Sequence, residues 1–390
     1  MAPFLLLCLI GFATFFSSYL RIPVLPLFAA SLGAGPAQVG LINGGFMLTA
    51  GLLSVPAGLL VDRFGRKKPV IGGILATAAS SLLITLCHSP VQMATAYLLF
   101  GAGLAAFAPG MLSLVADTMP PDRLGQAYGW YTTAIYIAMT LGPASGGYLA
   151  KTIGLRQVFL VSGILLLAVL LLAQLLLPRS VPRHKTELQT IVGSSVTLLR
   201  NRHLRGCLLA TLGSCVGFGL FLTFLPLHAA AHGLDPAKVG LIFAAQAVTN
   251  VLGRVPIGIL GDRVDRRLLV ALGLGCLSLA LAVLGRLTQL VPLLACAVGM
   301  GAGMALTFTA IGALIAEKTP AIQRGLAMGM YNSCVYLGMM AGATVMGAAV
   351  GRVGYPVGFA VGGAVVAATM LLFLLLMREK AAIAPGEADA

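Results

Sequence analysis

Charge is what this sequence has least of. Only 9% of its 390 residues are Asp, Glu, Lys or Arg, against about 25% in a soluble domain. A surface built from so few charges cannot face water. The histidines number five (His88, His184, His203, His228, His232) and read as scattered and unpaired. The seven cysteines (Cys8, Cys87, Cys207, Cys215, Cys276, Cys296, Cys334) lie in apolar runs with no close pair, so they read as packing groups, not as disulfides or metal ligands. No Gly-rich phosphate-cradling loop with a lysine occurs. These absences argue against an enzyme, which would need clustered groups at catalytic or metal spacing.

What is present is apolar: 59% of the chain is hydrophobic, with 49 glycines and 20 prolines. Gly and Pro are commoner in membrane-spanning helices than in soluble ones. A spanning helix needs about 20 mostly apolar residues. Twelve stretches qualify, over 3–29, 37–61, 69–87, 90–115, 126–150, 157–177, 204–229, 237–261, 268–287, 292–316, 325–350 and 357–377. The first is expected to be a retained helix and not a cleaved signal. The one long connection, 178–203, carries Leu188, Ile191, Val192, Val196 and Leu199 at helical spacing, which predicts a short interfacial amphipathic helix.

The net charge of +14 orients the chain in a membrane and does not imply nucleic acid. Lys and Arg collect in cytoplasmic loops. One set of alternate loops holds 18 of them and the other set 5, with Arg21 and Arg254 inside helices. Both termini and the linker are therefore expected in the cytoplasm, in a multi-pass protein of the cell inner (plasma) membrane.

The chain also repeats itself at an offset of 200 residues. Residues 25–42 match 225–242 at 12 of 18 positions without a gap, and the register persists through Asp62–Arg63 and Asp262–Arg263, Arg66 and Arg266, and Tyr131 and Tyr331. Six helices per repeat bring both halves into the membrane in the same direction. The fold expected is all-α, with two pseudo-symmetric six-helix bundles (1–177 and 204–377), a linker at 178–203 and a tail at 378–390. Paired parallel halves imply a substrate site near the midplane.

Between the second and third helices stands Gly58-Leu-Leu-Val-Asp62-Arg63-Phe64-Gly65-Arg66-Lys67. Gly58 allows close helix approach, Gly65 permits a tight turn, and Asp62 can form switchable ion pairs. The fifth helix carries Gly129-x8-Ala138-x3-Gly142-Pro143-x2-Gly146-Gly147, in which the proline bends the helix and the glycines permit tight packing. On these motifs the chain resembles the major facilitator superfamily over essentially its whole length, within it the twelve-helix drug:proton antiporter group. The resemblance implies a transporter working by alternating access, and a gating role for Gly58, Asp62, Arg63, Gly65 and Arg66. It implies Asp117 as the acid that partners the motif's arginine, with Asp262, Arg263 and Glu317 as echoes in the second half. Gly142, Pro143, Gly146 and Gly147 match the family's antiporter motif, which implies export with protons as the coupling ion. Where that family carries an arginine on the fourth helix, this chain has Tyr97. All eleven acids lie in loops, tails or helix ends, so the residues themselves leave the coupling ion open.

Two cations remain at depth, and charged groups inside spanning helices are functional candidates. Arg21 shares a helical face with Thr14 and Ser18, and reads either as a substrate contact or as a snorkelling anchor. Arg254 continues a stripe with Gln246 and Asn250; here a structural ion pair with Asp262 or Glu317, part of the gate, is the expectation. Asn43, Tyr97, Tyr131, Tyr136, Phe221, Asn332 and Tyr336 complete the expected cavity wall, whose aromatic character suits amphiphilic cargo. His228 is a minor candidate for a proton switch. The expected function is export of a small amphiphilic compound or drug by a monomer in the bilayer, without metal or cofactor. Transport of a small anionic metabolite or sugar is the alternative.

Overall fold

The computed structural model describes residues 2–120, 123–177, 198–319 and 324–377. Every regular element among them is a helix. The first half holds α1 (Ala2–Tyr19), α2 (Val24–Ser31), α3 (Pro36–Phe64), α4 (Lys67–Thr85), α5 (Pro90–Thr118), α6 (Leu124–Ile153) and α7 (Leu155–Leu176). The second holds α8 (Arg202–Ala231), α9 (Pro236–Gly261), α10 (Arg266–Leu284), α11 (Leu290–Lys318) and α12 (Arg324–Met377). The predicted amphipathic helix of the linker, up to residue 197, and the tail from 378 lie outside the described residues.

Ten helices among the described residues are long and apolar enough to cross a membrane, with α1 and α2 counted as one. The last of the ten turns at Gly354, where φ is 79°, and so makes two passes. The remaining pass is α6, whose 30 residues include Gly, Thr and Tyr that dilute its apolar character. This is an all-helical, multi-pass membrane protein.

Helix starts follow local chemistry. Ser89, Asn201, Asp235 and Asp265 accept hydrogen bonds from the first free amides of α5, α8, α9 and α10. Pro36, Pro90 and Pro236 occupy first-turn positions where no amide is required. The first predicted span differs from expectation: instead of one helix over 3–29, a turn at 20–23 separates α1 from α2. Pro23 and Pro26 cannot donate to the carbonyls four residues back. The amide of Ile22 donates to Tyr19 instead, and those of Val24 and Leu25 to Arg21.

The 200-residue repeat is physical. Positive-φ glycines pair as Gly33 with Gly233 and Gly154 with Gly354. In the first half α4 lies so close to α5 that a Cβ on Gly73 would stand 2.7 Å from the Gly103 carbonyl; Gly273 and Gly303 repeat this between α10 and α11, also at 2.7 Å. Lys67 Nζ donates to the carbonyl of Leu177 at 2.6 Å, and Arg267 Nη1 to that of Met377 at 3.0 Å. These cations sit on helix C-termini, where the dipole favours them.

The halves meet mainly through α3 on α12 and α6 on α9, with α2 against α8. Gly40 abuts the carbonyl of Ala343, while Gly240 abuts that of Pro143; Gly347 lies against Gly40 and Gly147 against Gly240. Each contact recurs with both numbers moved by 200, so the interface is nearly self-complementary. These glycine contacts lie towards the end of the molecule that carries residues 32–35 and 232–235, and the halves stay in touch along α9 as far as Arg254 and Tyr136. There Asn43 Nδ2 donates to Thr223 Oγ1 at 3.2 Å, and Lys151 pairs with Asp235 at 3.0 Å.

At the other end, which carries most of the basic residues, the halves part among the described residues. A Cβ added to Gly129 or Gly329 would meet nothing, and α5 and α11 pack chiefly within their own halves. Among the described residues, the halves are sealed together at one end and parted at the basic end.

Replacing Gly147 with valine should force α6 from α9, because the added carbon would meet the Pro236 backbone, which cannot yield as a flexible side chain can. Spin labels at positions 152 and 237 should move apart, and transport should fall about tenfold or more. The rim ion pair has a pH signature. The Lys238 amide and the Lys151 ammonium hold the Asp235 carboxyl below the usual aspartate range. Its contribution is therefore present above the ordinary aspartate pKa and lost as pH falls through the lower folded value. Asp235→Asn, which still caps the helix, should lower the thermal midpoint at neutral pH, and the difference from the parent should close as pH drops below about 4.

Candidate functional site

The passage begins where the sealed seam ends. Tyr336 of α12 packs its Cβ against Gly51 of α3, at 3.2 Å from where a glycine Cβ would stand. Two hundred residues earlier, Tyr136 of α6 lies under the guanidinium of Arg254 from α9, 4.1 Å from ring centroid to Cζ. Arg254 Nε also donates to Asn250 Oδ1 at 3.0 Å, one turn back on the same helix. Both tyrosines are half-buried. Tyr19, at the end of α1, packs against Gly142 of α6, the helix that carries Tyr136. Below these side chains, towards the basic end, the halves separate.

Arg254 therefore does not make the ion pair expected of it. Arg266 takes both acids, donating from Nη1 to Glu317 at 2.9 Å and from Nη2 to Asp262 at 3.2 Å. That leaves Arg254 as a cation whose partners are an amide oxygen and a ring face. The face of a tyrosine attracts a guanidinium by about 0.5–2 kcal/mol, more as water is excluded.

The other expected wall residues fall into three places. Asn43 bridges the halves within the seal. Arg21, Tyr97 and Tyr131 turn into the first half, while Phe221 and Gln246 turn into the second; all are buried. Tyr97 packs on Phe46 and Phe100, Tyr131 lies against Gly11, Phe221 meets Phe218 and Phe243, and the Gln246 amide meets the sulfur of Met304 at 3.1 Å. Asn332 is exposed near the open end. Tyr19 was missed by sequence reading. Its signal was an aromatic residue one step after Ser18 and just ahead of the two prolines that break the helix.

Of the motif residues, Gly65 ends α3 with φ at 80°, a conformation that favours glycine. Arg66 is nearly buried and its Nε lies 3.0 Å from Asp117 Oδ2. Arg266 and Glu317 repeat that pair 200 residues on. Asp62 and Arg63 lie in the last turn of α3, and Gly58 one turn earlier; Arg263 is exposed. Gly142 and Gly146 carry α6 against Tyr19 and Leu20 of the first span. Pro143 sits within an α6 that runs unbroken from Leu124 to Ile153, and its carbonyl faces Gly240. His228 and His232, read as unpaired in sequence, in fact stand one turn apart with ring centroids at 4.6 Å; His228 Nε2 donates to the Leu287 carbonyl at 2.8 Å.

Two duplicated bundles, sealed at one end and parted at the other around a polar aromatic group, narrow the choice of family, and comparison decides it. The Major Facilitator Superfamily profile matches residues 7–233 and again 207–389. The chain belongs to the major facilitator superfamily. As a superfamily member it is a secondary transporter and not an enzyme. It is 25% identical over 329 residues to an uncharacterized MFS-type transporter of Methanocaldococcus jannaschii, covering 83% of this chain and 85% of the relative. It is 27% identical over 381 residues to the multi-drug resistance efflux pump PmrA of Streptococcus pneumoniae, covering 94% of each. The nucleoside transporter NupG shares the superfamily fold, with a TM-score of 0.82 over 96% of this chain and all of that one at 14% identity.

The Arg254–Tyr136 contact joins the halves at the head of the passage. A double-mutant cycle with Arg254→Met and Tyr136→Leu, read by thermal stability in detergent, should return a coupling of about 0.5–2 kcal/mol. Strict additivity would mean that the two side chains do not interact.

Proposed function

We propose that this transporter exports a small amphiphilic compound from the cytoplasm by alternating access, and that Tyr19, Tyr136, Tyr336 and Arg254 form the cargo site. The observation that carries the reading is the placement of this group at the junction between a sealed end and an open one. A cargo there touches both halves at once, so its binding can bias their rocking. With the basic end in the cytoplasm, the conformation described above is the one that loads from inside. The full-length likeness to a multi-drug efflux pump and the Gly142–Gly147 motif on α6 support export. The tyrosines offer broad apolar faces with hydroxyl tips, which suits cargo with an aromatic body.

Gating falls to the basic end. Arg66–Asp117 and Arg266–Glu317 fasten the short turns within each half, and Asp62 and Arg63 in the last turn of α3, with Arg263, are assigned the contact that the two halves must make on closure. A proton gradient is the proposed driving force. A second reading, an anionic cargo, is favoured by one observation: among the described residues Arg254 has no acidic partner, and the acids with assigned partners (Asp117, Asp235, Asp262, Asp265, Glu317) lie at helix ends.

Proteoliposomes with an imposed pH gradient test both readings. Flux of a lipophilic cation should be compared with that of an organic anion built on the same aromatic scaffold. Arg254→Met and Tyr136→Ala should each lower flux of the true cargo by about tenfold, a loss near 1.4 kcal/mol. Unchanged flux in both variants at equal expression would remove the cargo site from these residues. Greater flux of the anion would select the second reading.

A further inference from the structure

Arg21 is fully buried, yet among the described residues no carboxylate pairs with it. Nη1 donates to Ser81 Oγ at 2.7 Å, Nε donates to the Ser18 carbonyl at 3.2 Å, and the guanidinium lies on the Phe100 ring at 3.7 Å. Nη2 has no protein partner. The buried hydroxyls of Ser18, one turn before it, and of Tyr97, whose ring centroid is 5.9 Å from the guanidinium carbon, likewise have none. Distance along the helices keeps the nearest acids in sequence away. Ser81 is 14 residues into α4, or about 21 Å from the turn beside Asp62 at 1.5 Å per residue. An arginine cannot escape burial by losing its proton, and a ring face offsets only part of the cost of removing its charge from water.

The second half supplies an internal control. At the same offset of 200, Ser18, Arg21, Ser81, Tyr97 and Phe100 become Phe218, Phe221, Leu281, Ala297 and Met300. Most of these are fully buried, and Phe221 packs against Phe218 and Phe243. The fold is satisfied at this place by an apolar core, so architecture alone does not call for a cation and a set of hydroxyls. Water could satisfy the free hydrogens but would leave a whole positive charge uncompensated.

We propose that the first half binds a small monovalent inorganic anion of the halide class between Arg21 Nη2 and the hydroxyls of Tyr97 and Ser18. The ion is a resident counter-charge inside the bundle, separate from the cargo that Arg254 faces, because Arg21 has no exposed surface through which cargo could reach it. All three groups are buried donors without a protein partner, and the fixed positive charge of the guanidinium excludes a cation.

Thermal unfolding of the purified full-length chain decides the matter. Sodium gluconate is exchanged for sodium chloride or bromide at constant ionic strength, without cargo. The midpoint should rise by about 3 °C at saturating halide. The rise should vanish in Arg21→Met, which copies the apolar solution of the second half. In Tyr97→Phe, which leaves the guanidinium in place, about tenfold more halide should be needed for the same rise. If Arg21→Met cannot be purified folded, the Tyr97→Phe titration alone carries the decision. Equal midpoints in gluconate and chloride for the parent chain would overturn the proposal. So would a halide response that persists unchanged in the variants, since the ion would then bind elsewhere.

Discussion

The structure depends on how closely two backbones can approach where the halves cross. At Gly40 and Gly240 the partner's carbonyl occupies the space that a side chain would fill, and Gly147 and Gly347 complete the fit. Lipid offers no hydrophobic drive for helices to associate, so contact at this range must come from dispersion and shape. Such a seam is broad and lacks strong directional bonds. It holds while it fits and releases without breaking an ion pair in the hydrocarbon.

The polar interactions are distributed to match. Several that tie helices within a half are short and charged and stand at the basic end: Arg66 with Asp117, Arg266 with Glu317, Lys67 and Arg267 on helix C-termini. Those seen to cross between halves are mild: an amide to a hydroxyl, an exposed ion pair at the rim, and a guanidinium over a ring. Each half is therefore stiffer than the joint between them. That ordering of strengths is what a pair of rocking bodies requires.

Much of this was legible in the sequence. The twelve passes followed from apolar length, and the 200-residue register foretold pairs of matching contacts such as Gly73–Gly103 with Gly273–Gly303. The Arg66–Asp117 pair had been implied by motif likeness. Which way each side chain turns was not legible. Tyr97, Tyr131, Phe221 and Gln246 lie on helices, and Arg21 in the turn after one, yet all face their own bundles, because a helix near an interface buries two sides and periodicity cannot tell them apart. Arg254 was assigned the wrong partner for a similar reason. Its spacing from Asp262 suggested a pair along one helix, but Arg266 stands closer to both acids, leaving Arg254 to reach across to Tyr136. The break at Leu20–Pro23 hid behind an apolar run that read as one span.

The self-matching seam has a consequence for how the protein can change. In a two-fold dimer of identical subunits, every substitution at such a contact is felt twice, and any misfit doubles with it. Joining two copies in one chain uncouples the crossings. Pro143 can face Gly240 while Ala343 faces Gly40, and the two hinges can differ in stiffness although they share a shape. One fusion thus turns a symmetric clasp into two independently adjustable ones.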